Sequence, residues 1–216
     1  MPTSDRLPHL ARHLVRHNPH HVVMTVEADV PPLHRREIRE LWLSVQVAAC
    51  RRYAGISFSG GVLMPTHIHL IVQAAGRAAD ISRAIQYLAS KLALGINRLT
   101  GRTGAVFRDR FFSRALSTVS ELVSAMRYVG QNPVRARLVR RPEDWAASSV
   151  AEGLGRTRAT QAWAYRGWMY RLLGFFDDPR AALERILSGK TRARSPGRSR
   201  QNRLPFGRGV PAVAAA

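Results

Sequence analysis

The run Val62 to Val72, VLMPTHIHLIV, decides how this chain folds. Met64, Pro65 and Thr66 interrupt an apolar, β-branched stretch, so Ile56 to Leu63 and His67 to Gln73 read as two strands of an antiparallel hairpin. On a strand, alternate side chains share a face. Ile68, Leu70 and Val72 therefore point into an apolar core. His67 and His69 point together to the other side, with Cα atoms roughly 6.5 to 7 Å apart. Two imidazoles converging from one rigid strand can share a divalent metal. The plainer alternative is a pair of surface histidines on a wet strand face.

Working outward, His21 to Val26 (HVVMTV) reads as a strand. Residues 34 to 53 carry Ile38, Leu41, Trp42, Val45 and Ala49 at helical spacing, and Gly55 ends that helix. Residues 80 to 98 form a second helix with Asp80 as N-cap. A loop, Thr100 to Gly104, leads to an extended stretch over Val106 to Leu116. A third helix starts near Thr118, which has capping-box spacing to Glu121; Val119, Leu122, Met126 and Val129 line one face. The first six elements match the split βαβ of ferredoxin-like folds. The expected class is thus α+β, an antiparallel sheet with packed helices, over residues 20–142. Residues 143–188, with Trp145, Trp163, Tyr165, Trp168, Tyr170, Phe175 and Phe176, read as a helical extension that packs on the core. There is no internal repeat.

Composition limits the partners. The chain has 216 residues, 45% of them apolar, and carries 34 Lys+Arg against 14 Asp+Glu, a net charge of +20. So basic a chain lives beside polyanions, and nucleic acid is the default. The tail 189–216 holds Lys190, Arg192, Arg194, Arg198, Arg200, Arg203 and Arg208 and no acid, so it reads as a disordered basic arm. The folded part remains basic without it. Arginine suits phosphate recognition, although Lys91 and Lys190 being the only lysines also fits a GC-rich genome. Cys50 stands alone, which excludes an intrachain disulfide and a cysteine zinc site and suits a reducing cytoplasm. No apolar run reaches membrane-span length. Met1 to Asn18 lacks the apolar core of a signal peptide. His9, His13 and His17, with no acid or cysteine beside them, make residues 1–19 a basic histidine-rich arm rather than a metal site.

Two further stretches carry chemistry. In Met126 to Val139, MRYVGQNPVRARLV, Tyr128 lies off the apolar stripe of its helix, and Asn132 shares its face one turn on. A phenol nucleophile and an amide oxygen ligand can approach one metal from there. The alternative makes Asn132 an N-cap and Pro133 the first residue of a new helix. In Arg102 to Arg114, RTGAVFRDRFFSR, arginines alternate with Phe107, Phe111 and Phe112, a pattern that supplies phosphate contacts beside stacking platforms for single-stranded nucleic acid. An edge strand with solvated arginines explains the same pattern.

These motifs resemble the HUH single-strand DNA transposases with one catalytic tyrosine. Met64-Pro-Thr-His-Ile-His-Leu-Ile-Val72 resembles their MPNHVHLLV signature, and Tyr128-Val-Gly-Gln-Asn-Pro-Val-Arg-Ala136 resembles YIHLNPVRA. Ile96-Asn97-Arg98, Gly101 to Phe111 and Glu143 to Ser149 are similar to the connecting NRR, GRTGxVFQxRF and PEDWxxSS stretches, in order over about residues 20–150. The nearest branch is that of the REP-associated tyrosine transposases. Two positions depart: Thr66 replaces Asn, and Gly130-Gln131 replaces His-Leu, where the glycine is expected to loosen the helix holding Tyr128.

The resemblance implies a nuclease and strand transferase acting on single-stranded, hairpin-bearing or repeat DNA. Its pattern places the metal, Mg²⁺ or Mn²⁺, on His67, His69 and Asn132, and the nucleophile on Tyr128, which would form a 5′-phosphotyrosine and release a 3′-hydroxyl. Lys91, Arg102, Arg108, Arg110, Arg114 and Arg135 are the expected DNA contacts. A cytoplasmic, nucleoid-associated location and a homodimer are compatible with this reading. The competing readings are a basic nucleic-acid-binding protein without catalysis, since the fold also serves RNA recognition, and a domesticated relative that nicks or binds repeats without transposing.

Overall fold

The computed structural model describes residues 18–75, 79–153 and 179–188. The histidine-rich arm, the basic tail and the aromatics from Trp163 to Phe176 lie outside the described residues. In chain order the elements are β1 (His20–Thr25), α1 (Arg36–Arg52), β2 (Ile56–Leu63), β3 (His67–Ala74), α2 (Ala79–Thr100), β4 (Phe112–Ala115), α3 (Val119–Arg135), a 3-10 turn (Pro142–Asp144), α4 (Ser149–Gly153) and α5 (Pro179–Ser188). The strands pair antiparallel in the order β2-β3-β1-β4. This is the ferredoxin-like α+β arrangement, with β1 and β3 central.

The alternation of side chains along β1 and β3 divides the interior in two. Val22 and Met24 on β1, with Ile68, Leu70 and Val72 on β3, pack against Trp42 of α1 and Leu88 and Leu92 of α2. Ile71 faces the other way with Val62 of β2 and meets Leu122, Met126 and Val129 of α3 and Leu183, Ile186 and Leu187 of α5. With both faces covered, β3 is buried almost throughout, His69 and Gln73 included. The hairpin closes with the Met64 N–H on the His67 carbonyl at 2.9 Å. A bulge near Ser59 bends β2.

The extended stretch expected over 106–116 is broken. Phe107 makes an isolated bridge to Val26, residues 108–111 turn away beside α2, and regular pairing resumes only at Phe112. α3 begins as its sequence predicts: Thr118 Oγ1 accepts the Glu121 N–H at 3.2 Å while the Glu121 carboxylate accepts the Thr118 N–H. Its end differs from one alternative. The helix runs through Pro133 to Arg135, so Asn132 is an interior residue and not a cap. The Arg137 N–H bonds the Val134 carbonyl, the Leu138 N–H bonds the Pro133 carbonyl, and Arg137 takes a left-handed φ of 57°. That Schellman closure terminates the helix past the proline. The stretch after it docks on β2, with the Trp145 indole N–H on the Leu63 carbonyl at 2.9 Å and the Gly61 N–H on Ser149 Oγ at 3.0 Å.

Candidate active site

The histidine-bearing face of β3 is not wet. α3 lies across it, and His69 is only 4% exposed. Tyr128, on α3, keeps 39% of its surface exposed and sets its ring edge against His69 at 5.4 Å between centroids. The His67 and His69 rings stand nearly perpendicular, 4.8 Å apart. The fold therefore brings three of the sequence-predicted residues into one cluster. Asn132 sits one helical turn beyond Tyr128 on α3 and is 9% exposed.

A fourth ring completes the cluster, and sequence reading missed it. His21, on β1, stacks on His69 at 5.1 Å with Nε2 3.0 Å from His69 Nδ1, and meets Tyr128 edge-on at 5.8 Å. A lone histidine in a β-branched run carries no spacing signal; only the pairing of β1 with β3 reveals it.

Burial controls protonation here. Desolvation first, then the charges of His21 and His67, push His69 down to about 3. Desolvation and the Arg114 guanidinium lower His21 to about 4. His67 is lowered by burial as well. All three are therefore neutral near pH 7, the form in which imidazole offers a lone pair.

Among the described residues, two buried polar atoms in this region find no hydrogen-bond partner, His69 Nε2 and Asn132 Nδ2. Half a turn of the Asn132 amide puts Oδ1 in place of Nδ2. His67 Nδ1 is hydrogen-bonded to Thr66 Oγ1 at 3.2 Å and His69 Nδ1 to His21, so on both rings the Nδ1 atom is engaged. Among the described residues no three His, Cys, Asp or Glu side chains form a metal cage. The lone pairs these residues can offer to a cation are imidazole nitrogens of His67 and His69 and the amide oxygen of Asn132.

The expected DNA contacts scatter. The Arg135 guanidinium lies over the Tyr128 ring at 5.3 Å, and Arg114, opposite His21 in the sheet, pairs with Glu121 at 2.9 Å. These two border the cluster. Arg110 lines a groove against α2, and Lys91 lies over the Tyr87 ring at 5.8 Å, both on the other face of the sheet. Arg108 is exposed beside the Val26–Phe107 bridge. Arg102 is engaged internally, with Asp29 at 2.5 Å and Asn97 at 3.2 Å, and its side chain is 14% exposed. Asp29 lies 73 residues away in the chain, so sequence reading had no hint of that partner. Phe112, on edge strand β4 and on the same face as His21, is 61% exposed.

Gly130 does not leave α3 loose. A Cβ there would lie 2.6 Å from Leu187 of α5 and 3.0 Å from Val150 of α4, so the missing side chain admits both helices. The Arg127 guanidinium then donates to the Ile186 carbonyl at 2.7 Å and the Gln131 amide to the Leu187 carbonyl at 2.8 Å. α5 is fastened on α3 beside the tyrosine.

Among solved structures, the chain is similar to that of a REP-associated tyrosine transposase bound to a REP hairpin, with a TM-score of 0.59. The likeness covers 71% of this chain and 89% of that one at 16% identity. It establishes a shared fold. No protein-family model matches the sequence, and no curated protein does. Among the described residues no helix is long and apolar enough to cross a membrane.

Proposed function

We propose that the chain nicks and rejoins single-stranded DNA through Tyr128. The observation that carries this reading is the half-exposed phenol set against a buried strand histidine whose Nε2 has no partner among the described residues. A passive nucleic-acid binder has no use for that arrangement. The likeness in fold to a transposase held on a REP hairpin favours hairpin-bearing DNA as the substrate class.

His67, His69 and Asn132 would hold Mg²⁺ or Mn²⁺, which when bound polarises the scissile phosphate and offsets charge in the transition state. The chain's own residues do the rest. Tyr128 Oη attacks phosphorus, the P–O3′ bond breaks, and the phenol's proton is balanced by protonation of the departing 3′-oxygen. The products are a 5′-phosphotyrosine and a 3′-hydroxyl, and attack by a 3′-hydroxyl reverses the step and restores the free phenol. Arg135, over the tyrosine ring, and Arg114 supply positive charge beside the reacting phosphate. α3, fixed at both ends and along its side, holds Tyr128 in register with the histidines, where a shift of about 1 Å can cost a hundredfold in rate. The basic tail adds salt-dependent backbone affinity.

The test is transfer of label from single-stranded hairpin DNA onto the protein on a denaturing gel, with Mn²⁺ or Mg²⁺. A metal-dependent adduct is expected from the wild type and none from Tyr128→Phe. Tight binding without an adduct on any hairpin or with either metal overturns the catalytic reading and leaves a non-enzymatic binder.

A further inference from the structure

The cation site proposed above needs His69 to present an Nε2 lone pair. A neutral imidazole carries one proton on its two ring nitrogens, so that lone pair requires the proton on Nδ1. His69 Nδ1 faces His21 Nε2 at 3.0 Å, with the two rings stacked at an interplanar angle of 25°. In the opposite tautomer the proton would sit on the buried Nε2, which has no acceptor among the described residues. His21 is held by the central strand β1, where it pairs with Ile71, and it reaches His69 diagonally across the sheet. On its far side it is opposite Arg114, which is in turn held by Glu121 of the α3 cap.

We propose that His21 is a positioning residue: its Nε2 accepts the Nδ1–H of His69, fixing the tautomer and ring plane that leave His69 Nε2 free for a divalent cation. Thr66 Oγ1 stands in the same relation to His67, 3.2 Å from its Nδ1. The two cation-facing rings are thus oriented by different strategies: a neighbour in the turn for one, and a second strand for the other. This inference rests on the metal reading of the site, and it adds a histidine that acts through His69. Partners of this kind contribute about tenfold to a hundredfold in metal affinity.

The first measurement is the ¹⁵N resonances of the histidine rings in the full-length, metal-free wild type, which need no variant. A proton on His69 Nδ1 is expected; a proton on Nε2 overturns the proposal. The second is Mn²⁺ affinity by calorimetry without DNA, for wild type, His21→Phe, His21→Gln and His69→Ala. Phenylalanine keeps the stacked ring and removes the acceptor, so Mn²⁺ affinity should fall about tenfold to a hundredfold. Glutamine, whose Oε1 accepts from an N–H, should recover most of it. Wild-type affinity in His21→Phe overturns the role of His21. Unchanged Mn²⁺ binding in His69→Ala overturns the metal reading itself, and the proposal with it, whatever the tautomer result.

Discussion

His69 packs against both His21 and Tyr128 with almost no water contact, and its neutrality has a measurable cost in acid. In an unfolded chain both histidines titrate near 6.5. In the fold His21 is held to about 4 and His69 to about 3. Between pH 6.5 and about 4 the unfolded state therefore binds more protons, so stability is full above 6.5 and falls as pH drops through that window. Each histidine can contribute up to about 1.4 kcal/mol per pH unit. Urea midpoints of the metal-free protein at pH 7, 5.5 and 4.5 should decline, and His21→Phe should decline less steeply; parallel profiles would contradict the assignment. Phe112 supports a second expectation. Exposed on the site face of β4, it can stack one base of a bound strand, so Phe112→Ala should weaken single-stranded DNA binding by about 1 to 3 kcal/mol in a fluorescence titration, with the fold intact. His67 and His69 were legible in the sequence because a period of two puts them on one face. His21 was not, because its relation to His69 spans 48 residues and exists only through strand pairing.

α3 is the element on which the site depends, and each of its ends has a different chemistry. At the start, Thr118 and Glu121 satisfy each other's N–H groups, and Arg114 ties the glutamate to β4. Thr118→Ala should cost about 1 kcal/mol in unfolding free energy. At the finish, Arg137 occupies a left-handed conformation that glycine adopts without strain. Arg137→Gly should accordingly raise stability, by roughly 0.5 to 1 kcal/mol on the scale of left-handed strain, as a shift in thermal midpoint. Along its side, Gly130 lets Leu187 and Val150 approach, so Gly130→Val should displace α5 and lower the midpoint even though valine is no worse than glycine in a helix. The capping box was readable from residues three apart. The passage through Pro133 was not: an Asn-Pro pair is equally a helix start, and the hydrogen bonds that decide the matter come from Arg137 and Leu138, beyond the motif. The glycine carried a misleading sign, since propensity alone registers its entropy and not the helix that fills its place.

At the scale of the whole molecule, the order of elements in the sequence was enough to expect the sheet order, because a split βαβ unit forces β3 between β1 and β2. What order could not give was where extended chain stops pairing, as at residues 108–111, since pairing depends on which strand lies alongside. Nor could it sort the arginines: Arg102 is held by Asp29 while Arg135 stands over Tyr128. On the proposed function, a net charge of +20 makes affinity for DNA a strong function of salt. If about six phosphates are neutralised, log K against log salt should have a slope near −4 for single strands, and removal of residues 189–216 should make it shallower. One consequence of the ring cluster concerns inheritance. His69 meets His21, His67 and Tyr128 within a single polypeptide. On the proposed activity, a cell carrying one copy with Tyr128→Phe and another with His69→Ala should therefore gain nothing from having both: two broken alleles cannot complement, and nicking should scale with the number of intact genes.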